Sequence, residues 1–152
     1  MFVLDTDHIS ILQRQSSDEY ARIRARCANH STSDIFVTIV SFHEQINGWT
    51  KLVAKSVRSS GLIRGYTELE EIIDTFALAH VLSFSTAAAD VYEDLRSQNL
   101  RVGAMDLRIA SIAIANRMTL LTRNTVDFER VPNLSFEDWT VRRGGRGGMK
   151  GE

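Results

Sequence analysis

Cysteine, proline and lysine are all scarce in this 152-residue sequence, with one Cys (Cys27), one Pro (Pro132) and three Lys (Lys51, Lys55 and Lys150). A single cysteine rules out an internal disulfide and fits a reducing compartment such as the cytoplasm. No hydrophobic run approaches the ~20 residues of a membrane-spanning helix. The first apolar run stops at Asp5, too early for a signal peptide. A net charge of -1 provides no global basic field of the kind that marks many nucleic-acid binders. That charge is unevenly spread: the segment from Arg142, RRGGRGGMKGE, carries +3 and leaves -4 for the rest. What is present is ordinary for one globular domain: 43% hydrophobic and 24% charged residues, in a chain long enough for a real core. The expectation is a domain over residues 1–141 followed by a disordered Gly/Arg-rich tail, 142–152.

Phe2-Val3-Leu4 is apolar without alternation, which predicts a strand buried on both faces. It ends on Asp5, and a helix follows from Asp7 to Arg14. Ser16 and Glu19 have capping-box spacing for a helix over Ser17–Ala28, with Cys27 on its apolar stripe. Ile35–Val40 reads as a second buried strand. Ser41 with Glu44 repeats the capping-box spacing at the head of a helix reaching Ser59. Ser59-Ser60-Gly61 is the expected break before another helix, Leu62–Ala79, the two forming an inserted antiparallel hairpin whose exposed apolar remainder would be an interaction surface. A third strand is expected at Val81–Phe84, then a helix capped by Ser85 or Thr86, then a nearly all-apolar helix opened by Asp106. Thr119–Thr122 is a fourth strand and Phe136–Val141 a short last one. Strands alternating with helices predict an α/β fold with a mostly parallel sheet of four to five strands and helices on both faces.

In such a sheet, strand C-termini and the helix starts that follow them share one edge, where ligands bind. Asp5, Glu44, Asp106 and Asp127 all fall there. Singly, each has a simpler explanation: Asp5 and Asp106 as helix N-caps, Glu44 as the partner of Ser41, Asp127 as a turn residue. Together, four carboxylates at one edge repel one another unless a cation lies between them. Hard oxygen ligands suit Mg²⁺ or Mn²⁺, and carboxylate-held ions of this kind promote phosphodiester hydrolysis. Thr6, Ser41, Thr122 and Asn124 are placed to hydrogen-bond the ligands or their waters. Arg108, Arg117 and Arg123 fall near the expected cleft and are candidate phosphate contacts.

The segments VLDTDHIS, VSFHE, GAMDLRIASIAIA and LLTRNTVDFERVPNL, in this order and spacing from Phe2 to about Trp139, resemble the PIN-domain ribonucleases, most closely the VapC-type toxins of toxin–antitoxin modules. The resemblance implies a PIN-like three-layer fold and a Mg²⁺- or Mn²⁺-dependent endoribonuclease acting on tRNA or ribosomal RNA. It also implies homodimerisation and a small VapB-like antitoxin whose tail fills the acidic cleft. It places the family's acids at Asp5, Glu44, Asp106 and Asp127, and its Thr and Asn at Thr122 and Asn124. Asp7 stands where the family often has Asn, adding a negative charge. The tail from Arg142 lies beyond the resemblance; such a tail can hold RNA or simply be a solvated end.

Three other readings compete. Asp5 and Asp7 after a strand also suit a haloacid-dehalogenase-type phosphohydrolase, but that chemistry calls for a lysine near the site in the second half, where the only lysine is Lys150. A metal-free ribonuclease using His8 and His43 would cleave through the 2′-hydroxyl. A non-catalytic RNA- or protein-binding module would keep the fold without the chemistry, although all four acids are present.

Overall fold

A computed structural model describes residues 1–144; residues 145–152, most of the tail expected to be disordered, lie outside the described residues. The chain runs β1 (Phe2–Leu4), α1 (Thr6–Arg14), α2 (Asp18–Cys27), β2 (Ile35–Thr38), α3 (Ile39–Lys55), α4 (Ser59–Leu78), β3 (His80–Leu82), α5 (Thr86–Ser97), α6 (Ala104–Ala115), β4 (Thr119–Leu121), α7 (Thr125–Phe128) and β5 (Phe136–Glu137). All strand pairings are parallel, in the order β3-β2-β1-β4-β5. The chain leaves β1 on one side towards β3 and returns on the other at β4. The point where the strand order reverses therefore lies between β1 and β4, the crevice where open α/β sheets bind ligands.

Alternation along the strands builds three layers. Val3 and Leu120 join Val40, Leu107, Ile109, Ile112 and Phe128 in a core on one face. Leu4 and Leu121, their chain neighbours, join Ile9, Ile23, Ile72, Phe76 and Trp139 on the other. Because β1 and β4 are covered on both sides, their sequences are continuous apolar runs. Helix α6 is buried over Leu107 and Ile109–Ala113, as its nearly all-apolar sequence requires.

Several boundaries differ from the sequence expectation for physical reasons. Ile39 and Val40 belong to α3 rather than to the second strand. Thr38 has extended backbone and its hydroxyl accepts from Ser41 N, so Thr38 caps the helix and Ser41 is not the cap. Ser17, not Ser16, caps α2 by accepting from Tyr20 N. The hairpin breaks at 56–58, and Ser59–Gly61 form the first turn of α4. The last strand covers only Phe136–Glu137.

The hairpin packs tightly at Gly65, where an added Cβ would lie 2.3 Å from Val53 Cγ2. Val53 is β-branched and stiff at χ1, so it cannot swing aside cheaply. Gly65→Ala is expected to destabilise by about 1–3 kcal/mol through overpacking, against a helix-propensity gain of about 1 kcal/mol. Gly48→Ala on α3, with nothing within 4 Å of its Cβ, should show the propensity gain alone. Urea denaturation of the two variants checks the opposite signs. Beyond this seam the hairpin leaves Ile63, Tyr66 and Ile73 at 68%, 56% and 60% exposure.

Candidate active site

Asp5 sits at the first step out of β1. Its backbone N–H donates to Leu121 O at 2.9 Å, which keeps it in the sheet, and its carboxylate caps α1 by accepting from Thr6 N at 2.8 Å. The other carboxylate oxygen accepts from the buried Thr122 hydroxyl at 2.7 Å, across the β1/β4 crevice. The N-cap reading of Asp5 and its place at the ligand edge are thus both realised by one side chain.

Glu44 lies on the second turn of α3. Thr6 Oγ1 donates to Glu44 Oε1 at 2.9 Å and stands 3.1 Å from Ser41 Oγ. Asp106 occupies the first turn of α6 behind a Gly103 N-cap position, so Asp106 itself is not the cap. Asn124 Nδ2 donates to Asp106 Oδ2 at 3.4 Å and to Asp127 Oδ2 at 3.1 Å, bridging the two acids. Asn124 also fixes its own loop, its N–H donating to Thr122 Oγ1 at 3.0 Å. Thr6, Ser41, Thr122 and Asn124 therefore tie β1, α3, α6 and α7 to one sheet edge.

Asp7 adds a fifth negative charge. One of its oxygens pairs with His8 Nδ1 at 2.6 Å and the other accepts from Arg123 N at 2.9 Å. Burial and then the Asp7 charge push the Asp5 carboxyl up from 3.8 to about 7, against the lowering pull of Thr122 and Thr6 N. Burial also raises Glu44 and Asp106, the latter aided by the charges of Asp127 and Asp7. Among the described residues no Lys or Arg pairs with Asp5, Glu44 or Asp106, whereas Arg130 Nη1 lies 3.4 Å from Asp127 Oδ1. Arg130 escaped sequence reasoning, although its i+3 spacing from Asp127 was the available signal.

Among the described residues no group of three or more His, Cys, Asp or Glu side chains is drawn together as a preformed ligand set. Asp5 and Glu44 are instead held by the Thr122 and Thr6 hydroxyls, and Asp106 and Asp127 by the shared Asn124 amide. The donor chemistry still fits a hard divalent cation: all-oxygen ligands, three of them (Asp5, Glu44 and Asp106) with raised pKa values, and a mutual repulsion that positive charge would relieve.

The candidate arginines separate. Arg123 lies at the acid edge, its guanidinium 3.4 Å from Glu19 Oε1. Arg108 turns to the Tyr92 ring, 5.8 Å from its centroid. Arg117 does not lie near the cleft. It follows the C-terminus of α6, and its neighbour Thr119 donates to Met1 O at the start of β1. A 12-residue helix separates the two edges, about 18 Å at ~1.5 Å per residue.

The histidines do not form a pair. His8 is completely buried, with Nδ1 on Asp7 and Nε2 accepting from Trp139 N at 3.3 Å. His43 is exposed and hydrogen-bonds Asn47 at 3.1 Å. Lys51 and Lys55 are exposed on the far half of α3, about two turns or more beyond Glu44, so among the described residues Asp5 has no lysine neighbour for phosphohydrolase chemistry; Lys150 lies outside them.

The PIN domain family model matches residues 2–134. Ribonuclease VapC2 of Rickettsia felis is 29% identical over 143 residues, covering 91% of this chain and 98% of that protein. The tRNA(fMet)-specific endonuclease VapC of Shigella flexneri is 30% identical over 139 residues, covering 91% and 98%. Among solved structures, the DNA-bound VapBC of Salmonella typhimurium superposes with a TM-score of 0.69 at 28% identity, covering 91% of this chain and 97% of that one.

Proposed function

The chain belongs to the PIN domain family, on its VapC-type branch, and from that premise we propose that it is a divalent-metal-dependent endoribonuclease, the toxin of a VapBC-like pair. The observation that carries this reading is the acid edge itself: Asp5, Glu44 and Asp106 all have raised pKa values, and among the described residues no Lys or Arg pairs with them. A cluster so costly to hold in its charged form is stabilised by a bound cation. Asp5, Glu44, Asp106 and Asp127 would hold Mg²⁺ or Mn²⁺. Such an ion, when bound, supplies Lewis-acid activation of water and charge neutralisation at a phosphodiester.

The chain's own residues do the positioning. Thr122 fixes Asp5, Thr6 fixes Glu44, and Asn124 holds Asp106 and Asp127 in register. Asp7 raises the negative field without facing the crevice freely, since both its oxygens are engaged. No side chain acts as nucleophile, so water attack leaves 5′-phosphate and 3′-hydroxyl ends. Residues 1–141 form the nuclease domain, working in the cytoplasm on tRNA or ribosomal RNA and thereby inhibiting translation. An antitoxin and a second copy of the chain are its partners, and the exposed Ile63, Tyr66 and Ile73 offer apolar surface to one of them.

Incubation of purified protein with total tRNA in Mg²⁺ should give discrete fragments with 5′-phosphate and 3′-hydroxyl ends. Fragments carrying 2′,3′-cyclic phosphates would assign cleavage to the 2′-hydroxyl and contradict the proposal. Stable RNA binding without metal-stimulated cleavage would favour a non-catalytic module.

A further inference from the structure

Beside the acid edge, the end of α5 and the start of α6 enclose a cleft of about 280 Å³ walled by Tyr92, Arg96, Leu100, Arg101, Val102 and Leu107. Arg96 and Arg108 each place a guanidinium carbon 5.8 Å from the Tyr92 ring centroid. Arg96 has one exposed ion pair, Glu93 at 3.7 Å. Among the described residues Arg101 and Arg108 have no carboxylate partner. The loop before α6 holds two non-glycine residues in left-handed backbone, Asn99 (φ 51°) and Arg101 (φ 57°), a conformation that costs about 1 kcal/mol or more per residue. Arg130 braces it: its Nη1 donates to Arg101 O at 3.0 Å and lies 3.4 Å from Asp127. One side chain thus links the lip of the cleft to the acid edge.

Two guanidiniums, those of Arg96 and Arg108, flank one aromatic ring, and Arg101 lines the same cleft as Arg96; like charges gathered in this way repel each other, and an anion relieves that repulsion. We propose that this cleft binds a phosphate of the RNA strand a few nucleotides from the cleaved bond, with Arg96 and Arg101 gripping its oxygens and Arg108 adding charge behind Tyr92. Leu107 lines the cleft while its neighbour Asp106 meets Asn124, so cleft and acids occupy different sides of the first turns of α6. A helix diameter of about 10 Å corresponds to about three steps of a stacked strand at ~3.4 Å each. The cleft would therefore set where along the strand the acids act. This inference rests on the ribonuclease reading, and its test separates the two.

Binding of 5′-labelled tRNA is measured by anisotropy against salt in an Asp106→Asn background, and cleavage in the otherwise wild-type chain. Arg96→Ala/Arg101→Ala should weaken binding at least tenfold and reduce the log–log salt slope by about 0.7, the value for one single-strand phosphate contact. KM should rise with kcat changed less than about twofold, and Arg101→Lys with Arg96 intact should retain most of the affinity. Arg14→Ala/Arg58→Ala, exposed charges elsewhere, should leave binding unchanged. Equal losses in the two double variants would reduce the cleft to general surface charge and overturn the proposal. Unchanged tRNA binding with lost affinity for poly-glutamate would assign the cleft to an acidic protein segment and overturn it too. If the wild type binds tRNA but never cleaves it, the ribonuclease reading fails and the cleft is judged on binding alone. If cleavage is intact and the cleft variant binds normally, only the cleft proposal fails.

Discussion

Asp5→Asn is expected to lower RNA cleavage by about a hundred- to a thousandfold, the order found when a group central to transition-state charge stabilisation is removed, while leaving the fold intact. Asp5 is 5% exposed and receives hydrogen bonds from Thr6 N and Thr122. Asn keeps the size and one acceptor oxygen but cannot carry the charge that a hard cation requires. The decisive pairing of readouts is turnover with stability. A variant inactive because it is unfolded loses both, whereas this one should lose turnover and gain stability in the absence of metal. Circular dichroism and urea denaturation beside a cleavage assay separate the cases, and wild-type turnover in Asp5→Asn would remove Asp5 from the chemistry.

The second large effect is a pH dependence opposite to that of ordinary salt-bridged carboxylates. Burial and Asp7 raise Asp5 from 3.8 to about 7, and Glu44 and Asp106 move in the same direction. Between about pH 4 and pH 7 the native Asp5 retains a proton that the unfolded chain has released. The native state therefore binds more protons, and stability falls as pH rises through that window. At ~1.4 kcal/mol per unit the loss from Asp5 is on the order of 4 kcal/mol. In EDTA, the stability advantage of Asp5→Asn over wild type should be small at pH 5 and large at pH 8. Taking the difference between variants cancels the titrating groups that do not interact with Asp5 and leaves Asp5 with its neighbours Asp7 and Asp106. An advantage independent of pH would show that Asp5 is not held protonated by its surroundings. Added Mg²⁺ or Mn²⁺ should stabilise the wild type at pH 8 and shrink the difference.

Much of this arrangement was legible in the chain. Phe2–Leu4 and Thr119–Leu121 announced themselves because strands covered on both faces have no polar alternation, and α6 did so because burial all round leaves an apolar sequence. The order of acids after strands followed from the same logic. Other features depend on tertiary contacts that no local pattern encodes. Ile39 and Val40 have strand-forming side chains but lie in α3, because the Thr38 hydroxyl closes the first turn beneath them. Arg117, expected near the cleft, is carried by α6 to the opposite edge. His8 looked like a candidate acid–base group; burial and the Trp139 backbone, more than 130 residues away, make it a structural link to Asp7. The pairing of β1 with both β2 and β4, which opens the crevice, is a property of the sheet order alone.

The central claim is that the acid edge is a metal-dependent catalytic centre. Its most direct test is cleavage of total RNA by wild type and Asp106→Asn in Mg²⁺, in Mn²⁺ and in EDTA. Discrete cleavage by wild type with either ion, abolished by EDTA and absent from the variant, is the predicted result. Cleavage that persists in EDTA and is unchanged in Asp106→Asn would contradict it.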